Sequence, residues 1–266
     1  MADPLGRAET VALLERHGVR LRKSLGQHLL GEPNVVRRIV SIAGVQSGSR
    51  VLEIGAGAGT LTRALADAGA DVIAYEIDEA LRPVLAETVG DRADVRFGDA
   101  ASVDFADELP GSGWALVANL PYAVGTPIVL DVLRHVPAID RIVVMLQREV
   151  VERFAAGPGS RDYGVPSVVV ALYGTINVAF HVPPHLFVPR PKVGSSVAVI
   201  ERQAPDPLAE RAVELAGAAF GQRRKMVRSS LRGLLVAGGI EQAGLDPTMR
   251  AEELSPADYL RLAVLT

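Results

Sequence analysis

The stretch Val51-Leu52-Glu53-Ile54-Gly55-Ala56-Gly57-Ala58-Gly59-Thr60 decides the fold of this chain. An apolar run that contains one acid leads into three alternating glycines, and a helical pattern begins at Thr60. This order predicts a buried parallel strand, a tight turn and the first turn of a helix. Glycines lack the Cβ atoms that would keep a ligand away from the backbone. The turn can therefore hold a ligand closely, although a tight strand-to-helix turn without a ligand is the alternative.

The glycine spacing and the acid before it narrow the choice of ligand. Dinucleotide-binding turns follow G-x-G-x-x-G and hold a pyrophosphate at the helix N-terminus. Here Gly55, Gly57 and Gly59 follow the shorter pattern G-x-G-x-G, and Glu53 precedes them. A carboxylate would repel a pyrophosphate, but it suits an amine or a sulfonium. The pattern E-x-G-x-G-x-G resembles motif I of the S-adenosylmethionine-dependent methyltransferases, which implies S-adenosyl-L-methionine as the cofactor.

Composition excludes several classes of chemistry. The chain has 266 residues and no cysteine, so it has no disulfides, thiolate metal sites or cysteine nucleophile. A nucleic-acid methyltransferase without cysteine should act on an amino nitrogen, not on cytosine C5. The histidines are scattered, and we expect no metal site. No apolar run approaches the roughly 18 residues that span a bilayer, so we expect no membrane association and a cytoplasmic location.

Strand-like and helix-like segments alternate along most of the chain. Apolar strand patterns occur at 72–76, 95–97, 114–118 and 141–146, and helical patterns occur at 60–68, 79–88 and 127–135. This alternation predicts an α/β fold with a doubly wound, mostly parallel, Rossmann-like sheet covered on both faces. Further strands at 175–182 and 194–200 are expected to form an antiparallel pair at one edge. The sheet would then have seven strands.

Polar residues stand at the carboxyl ends of these strands, where ligands bind in such sheets. Glu76 follows Gly59 by seventeen residues, a position at which an acid can accept both ribose hydroxyl groups. Asp99 can accept from the exocyclic amine of an adenine, or it can hold a turn. The neighbouring Ile77 and Ala100 complete the predicted cofactor contacts at these two strand ends.

Asn119-Leu120-Pro121-Tyr122 is the most specific signal in the sequence. An amide directly after a buried strand is costly unless it is hydrogen-bonded. Pro121 keeps Leu120 extended, so the Asn119 side chain and the Leu120 carbonyl can both accept from one –NH₂ group. Tyr122 is placed to stack on a planar base. The segment matches the N/D-P-P-Y/F motif of amino-group methyltransferases, which implies that Asn119, Leu120, Pro121 and Tyr122 form the catalytic site and that Asn119 also contacts the cofactor.

The chain from about Arg20 onward resembles the rRNA adenine N6-dimethyltransferases of the KsgA/RsmA family. The resemblance rests on K-S-L-G-Q-H-L-L, E-I-G-A-G-A-G-T, N-L-P-Y and F-V-P-R-P-K-V-G-S-S-V. It implies that His28 and Leu30 contact the cofactor and that Phe187 packs on the target base opposite Tyr122. It also implies a helix at 165–173, where propensity alone favours a strand. His28 stands where the family usually has Asn, and Leu29 where it usually has an aromatic residue.

Clusters of positive charge indicate RNA contacts, although such clusters can also be solvated surfaces. The cluster at 222–232 contains five cations and no acidic residue, which favours phosphate binding. The Pro-rich linker at 204–207 divides a methyltransferase domain, 1–203, from a small all-helical domain, 204–266, and residues 1–45 form a basic arm and helices. The predicted RNA-binding residues are Arg22, Lys23, Arg190, Lys192, Arg223, Arg224, Lys225 and Arg228.

The family resemblance implies dimethylation of the N6 amines of two adjacent adenosines in small-subunit (16S) rRNA within 30S particles, by a monomer. Three alternatives stay open. The first is a macrolide-resistance-type enzyme that methylates a 23S rRNA adenine on the same core. The second is a non-catalytic RNA-binding assembly or transcription factor. The third is an NAD oxidoreductase, which the glycine spacing and Glu53 disfavour.

Overall fold

The chain divides into two compact units. A computed structural model describes residues 3–266, apart from the side chain of Lys23. The first unit contains the residues up to Val151 together with Asn177–Glu201, and the second contains Glu152–Ile176 together with Arg202–Thr266. The second unit thus includes a segment before residue 177 that the sequence-based boundary assigned to the methyltransferase domain.

A seven-stranded sheet forms the centre of the fold within the described residues. Its order is β4-β3-β2-β5-β6-β9-β7, and a short β1-β8 pair lies outside it. Neighbours from β4 to β6 are parallel and β9 is antiparallel to β6, as expected for a doubly wound sheet. The strands are β1 (Leu29–Leu30), β2 (Arg50–Ile54), β3 (Asp71–Glu76), β4 (Asp94–Phe97), β5 (Trp114–Asn119), β6 (Ile139–Gln147), β7 (Gly174–Val182), β8 (Phe187–Val188) and β9 (Ser195–Arg202).

Helices connect the parallel strands, and local sequence explains where they begin and end. Pro33 starts α2, the Glu32 side chain accepts from the Asn34 amide, and Gly44 ends the helix with a φ of 69°. The helices are α1 (Arg7–Arg16), α2 (Pro33–Ala43), α3 (Thr60–Asp67), α4 (Arg82–Thr88), α5 (Phe105–Glu108), α6 (Gly125–His135), α7 (Arg148–Phe154), α8 (Val165–Tyr173), α9 (Ala209–Gly221), α10 (Val227–Ser230), α11 (Gly239–Gln242) and α12 (Pro256–Ala263).

Residues 165–173 form helix α8, which confirms the expectation from family resemblance over that from propensity. Pro166 lies in the first turn, and the Ser167 hydroxyl accepts from the Gly164 amide. Ser167 also donates to the carbonyl of Arg153 at 2.6 Å. These terminal interactions and burial of the helix outweigh the strand preference of its valines.

The second unit is helical and packs around buried aromatic residues. Tyr163 and Tyr259 donate to the carbonyls of Leu254 and Ala251, both at 2.9 Å. Ser255 and Asp258 form a capping box at the start of α12. None of the described helices combines the length and the apolar composition needed to cross a membrane.

Gly59 provides a test of packing at the start of α3. Its φ is 78°, and a Cβ atom there would lie 2.6 Å from Val89 Cγ2. We expect Gly59→Ala to lower the free energy of unfolding by about 2–5 kcal/mol, through backbone strain and overpacking. Urea denaturation measures this loss.

Gly44→Ala is the matched control, since Gly44 has a φ of 69° and no atom within 4 Å of the added Cβ. It should cost only about 1–2 kcal/mol. Equal losses of unfolding free energy in the two variants would show that the contact with Val89 does not affect stability.

Candidate active site

The glycine turn lies at the carboxyl ends of β2 and β3. Gly55, Gly57 and Gly59 have φ values of 84°, 59° and 78°, which favour glycine. Both Gly55 and Ala56 donate to the Tyr75 carbonyl, so the turn is attached to β3. A Cβ atom at Gly57 would lie 2.7 Å from Leu29 Cδ2. A larger residue would therefore displace the Leu29 side chain.

Polar and apolar residues around the turn line a group of small adjoining cavities, which we call the strand-end cleft. Gly55 lines all three cavities, and Gly57 and Asn119 line two of them. Every predicted cofactor residue except Gly59 lines the cleft. Those residues are His28, Leu30, Glu53, Gly55, Gly57, Glu76, Ile77, Asp99, Ala100 and Asn119.

Glu53 is a buried acid without a full set of partners. Its side chain is 1% exposed, and neither Glu53 Oε2 nor Thr62 Oγ1 has a hydrogen-bond partner among the described residues. Burial raises the pKa of Glu53 to about 8; the nearby Thr62 hydroxyl opposes this shift without being aligned for a full hydrogen bond, and Glu76 adds to it. A cationic ligand in the cleft would relieve the cost of ionising this carboxyl.

Glu76 is held by two backbone donors. Gly57 N donates to Oε2 and Asp78 N to Oε1, both at 2.8 Å. Burial is the main cause of the raised pKa of Glu76, and these two amides counteract it. Because each carboxylate oxygen can accept more than one hydrogen bond, both retain capacity for ribose hydroxyl groups.

Gln27 and Asp78 are organising residues that the sequence reasoning missed. Gln27 Nε2 donates to Asp78 Oδ2 at 2.9 Å, and the Arg22 amide donates to Gln27 Oε1 at 2.6 Å. Asp78 also caps the turn after β3 by accepting from Ala80 N. The basic arm is thereby attached to the same loop that holds Glu76. The sequence signal for this role was Gln27 itself, which belongs to the family motif K-S-L-G-Q-H-L-L but had been assigned no function.

The end of the cleft at Asp99 is the most apolar part. Ile77 is 47% exposed and lines a cavity of about 180 Å³ with Asp99 and Ala100. Asp99 Oδ1 accepts from the Ala101 amide at 2.9 Å, so one oxygen holds the turn. No described residue donates to the other oxygen, which leaves it for a ligand amine. Both predicted roles of Asp99 are therefore compatible with its position.

Asn119 and Leu120 present acceptors at the end of β5. Asn119 Nδ2 donates to the His28 carbonyl at 3.1 Å, which orients Asn119 Oδ1 away from that carbonyl. Among the described residues, no donor reaches Asn119 Oδ1 or the Leu120 carbonyl. The Pro121 carbonyl instead accepts from Val124 and Gly125, which starts α6. Two acceptors remain for an incoming amine.

Tyr122 separates the cleft from a second space, which we call the outer cavity. Tyr122 and His28 line both, and their rings lie 5.4 Å apart with an interplanar angle of 33°. The Tyr122 hydroxyl lies 2.7 Å from Oγ of Ser195, a buried residue that the sequence reasoning left without a role. The outer cavity has a volume of about 660 Å³, which is enough for a base with part of its backbone.

Two predicted site residues have other roles in the structure. Phe187 is completely buried in the hydrophobic core and pairs with Leu30 in the β1-β8 ladder, so it does not face Tyr122 across the outer cavity. Gly59 lines neither space, because it packs against Val89 and Leu85. In this structure Phe187 is therefore part of the core and not of the cavity wall.

The predicted RNA-binding cations fall into two groups. Arg22, Arg190 and Lys192 line the outer cavity, whereas the Lys23 side chain lies outside the described part of the structure. The second group consists of exposed residues of the second unit. In that group Arg223 is bound to Glu252 at 2.6 Å and to the Arg161 carbonyl, which reduces its availability. The others are Arg224, Lys225 and Arg228.

Comparison with known proteins identifies the family. Residues 18–266 match the model of the family described as ribosomal RNA adenine dimethylase. The chain belongs to the ribosomal RNA adenine dimethylase family. It is 46% identical to ribosomal RNA small subunit methyltransferase A of Nocardia farcinica, with 97% of this chain and 94% of the relative covered.

Solved structures have the same fold as this dimethylase-family chain. A dimethyladenosine transferase from Plasmodium falciparum is 24% identical, with a TM-score of 0.75 over 88% of this chain and 96% of that one. The 23S rRNA methyltransferase ErmE is 25% identical, with a TM-score of 0.68 over 89% of this chain and 98% of that one.

In the described residues, no cluster of three or more acidic or histidine side chains is suited to hold a metal ion.

The raised pKa of Glu53 predicts a pH-dependent stability. A folded-state pKa of about 8 lies above the ordinary value of 4.5, so the folded protein keeps a proton that the unfolded chain releases. Stability should therefore fall as pH rises from about 5 to 8, by up to about 1.4 kcal/mol per pH unit. Glu53→Gln removes this contribution.

Urea denaturation of wild type and Glu53→Gln at several pH values measures the difference. Glu76, whose pKa is also raised, is present in both proteins, so only its coupling to Glu53 differs between them. A difference that stays constant with pH would contradict a protonated Glu53 in the folded protein.

Proposed function

We propose that this chain transfers methyl groups from S-adenosyl-L-methionine to the N6 amines of two adjacent adenosines in small-subunit rRNA. The observation that carries the proposal is the pair of unoccupied acceptors, Asn119 Oδ1 and the Leu120 carbonyl. Both residues line the strand-end cleft beside Tyr122, which also lines the outer cavity. Family membership and the name of the Nocardia relative support the choice of RNA.

The residues of the cleft fit the proposed cofactor. Glu53 offers the cationic amino acid part a buried carboxyl whose Oε2 has no hydrogen-bond partner among the described residues, and Glu76 offers two oxygens to the ribose. Ile77, Asp99 and Ala100 would hold the adenine. When bound, S-adenosylmethionine supplies a methyl group on a sulfonium, which is a good leaving group.

Asn119 and Leu120 activate the target amine. The lone pair of an adenine amine is delocalised into the ring, which makes the nitrogen a poor nucleophile. Accepting hydrogen bonds from both N6–H groups favours a pyramidal nitrogen with an available lone pair. These bonds strengthen as positive charge develops on the nitrogen, so they stabilise the transition state more than the ground state. Pro121 contributes by keeping Leu120 extended, so that the Leu120 carbonyl is not used by the first turn of α6.

Cations position the RNA. Arg22, Arg190 and Lys192 surround the outer cavity, through which a base taken out of its stack would enter. Arg224, Lys225 and Arg228 provide phosphate contacts on the helical unit, which acts as an RNA-positioning module. Arg223 contributes less because Glu252 neutralises it. We further propose a monomer that acts on 30S particles in the cytoplasm.

Asn119→Ala tests the acceptor pair. We expect methyl transfer to fall at least a hundredfold, since one of two transition-state contacts is lost, while cofactor affinity stays within about threefold. Tritium transfer to 30S particles and calorimetric titration with S-adenosylhomocysteine measure the two quantities.

Glu76→Ala is the complementary variant. It should weaken cofactor binding at least tenfold, because a buried partner of the ribose is removed. Full transfer by Asn119→Ala would refute its role, and an unchanged dissociation constant for Glu76→Ala would refute the ribose assignment.

Methylation of a 23S rRNA adenine is the second candidate function, because the chain shares its fold with ErmE. We expect the wild-type protein to methylate 30S particles at least tenfold faster than naked 23S rRNA under equal conditions. Faster transfer to 23S rRNA would favour the second candidate, and no transfer to either RNA would favour a non-catalytic RNA-binding protein.

A further inference from the structure

His28 stands at the boundary between the strand-end cleft and the outer cavity. Its carbonyl accepts from Asn119 Nδ2, and its ring Nδ1 lies 2.8 Å from the Pro189 carbonyl. Because a carbonyl only accepts, Nδ1 must carry the proton and donate. The backbone of His28 therefore contacts the catalytic strand, whereas its side chain contacts the loop that forms the wall of the outer cavity.

The imidazole also contacts the tyrosine of the catalytic segment. The rings of His28 and Tyr122 are 5.4 Å apart and tilted by 33°, within the range of favourable aromatic pairs. Each ring is fixed at its edge by a hydrogen bond, to Pro189 for His28 and to Ser195 for Tyr122. Both side chains thus have defined orientations at the entrance to Asn119.

The cavity lacks the second aromatic face that Phe187 was expected to provide. Phe187 is fully buried in the core, and the wall around residues 189–193 contains proline, cationic and valine side chains but no aromatic ring. A base that leaves its stack needs a replacement surface, and an aromatic face is the most effective one. Apart from Tyr122, His28 is the aromatic residue among the described residues that line this cavity.

We propose that the His28 imidazole is a positioning residue that, together with Tyr122, forms the aromatic surface receiving the target adenine. The inference rests on the proposed function and adds a role for a side chain that the motif leaves open. It separates two tasks within one residue, since the carbonyl orients Asn119 and the ring receives the base. The predicted cofactor contact of His28 would then be made by its backbone, so replacing the ring should leave cofactor binding intact.

Two variants separate the aromatic face from the hydrogen bond to Pro189. His28→Ala removes both, whereas His28→Phe keeps a ring of similar size and removes the donor. We expect His28→Ala to raise the KM for 30S particles about 5- to 20-fold, at the low end of the effect of a base–aromatic contact. The dissociation constant for S-adenosylhomocysteine should stay within about twofold, and His28→Phe should recover most of the wild-type KM.

Tritium transfer with the particle concentration varied gives KM and kcat, and calorimetry gives the cofactor constant. The proposal is overturned by an unchanged KM in His28→Ala, by equal impairment of the two variants, or by a parallel loss of cofactor affinity. Absence of transfer by the wild-type protein would instead count against the proposed function. His28→Gln, which also lacks an aromatic face, replaces the alanine variant if thermal unfolding shows that Ala destabilises the fold.

Discussion

The hydrogen bond from Asn119 Nδ2 to the His28 carbonyl is the contact on which the site depends. It satisfies the donor half of an amide at the end of a buried strand, where an unsatisfied group would be costly. Asn119 Oδ1 is therefore directed away from the His28 carbonyl. The neighbouring Leu120 carbonyl has no donor among the described residues. The basic arm thus does more than cover the cleft, because its backbone sets the orientation of the acceptor that the proposed chemistry needs.

A second set of contacts holds the opposite side of the cleft. Glu76 receives the amides of Gly57 and Asp78, and Asp78 receives the side chain of Gln27. The glycine turn, the end of β3 and the arm are therefore joined through one buried carboxylate. The buried acid Glu53 remains without a full set of partners beside this network, which suits a site designed for a cationic ligand.

Much of this arrangement could be predicted from the sequence. The alternating pattern predicted the parallel sheet, and Glu76 and Asn119 were recognisable as polar residues at strand ends. Local pattern could not place Phe187, because its burial results from the pairing of β1 with β8, a contact between residues far apart in the chain. The same reason explains Gly59, whose neighbours come from α4, and the bonds of Gln27 and Ser195. Helix α8 shows the converse, since burial and terminal contacts outweighed its strand propensity.

Mass-spectrometric mapping of modified adenosines shows which atoms of the RNA receive the methyl groups. Unmodified 30S particles would be incubated with the protein and S-adenosylmethionine, and the rRNA would then be digested and sequenced by mass. We expect N6,N6-dimethyladenosine at two adjacent positions of the small-subunit RNA. Methyl groups on a ring nitrogen, a ribose oxygen or a carbon would contradict this expectation, because the acceptor pair of Asn119 and Leu120 selects an exocyclic amine.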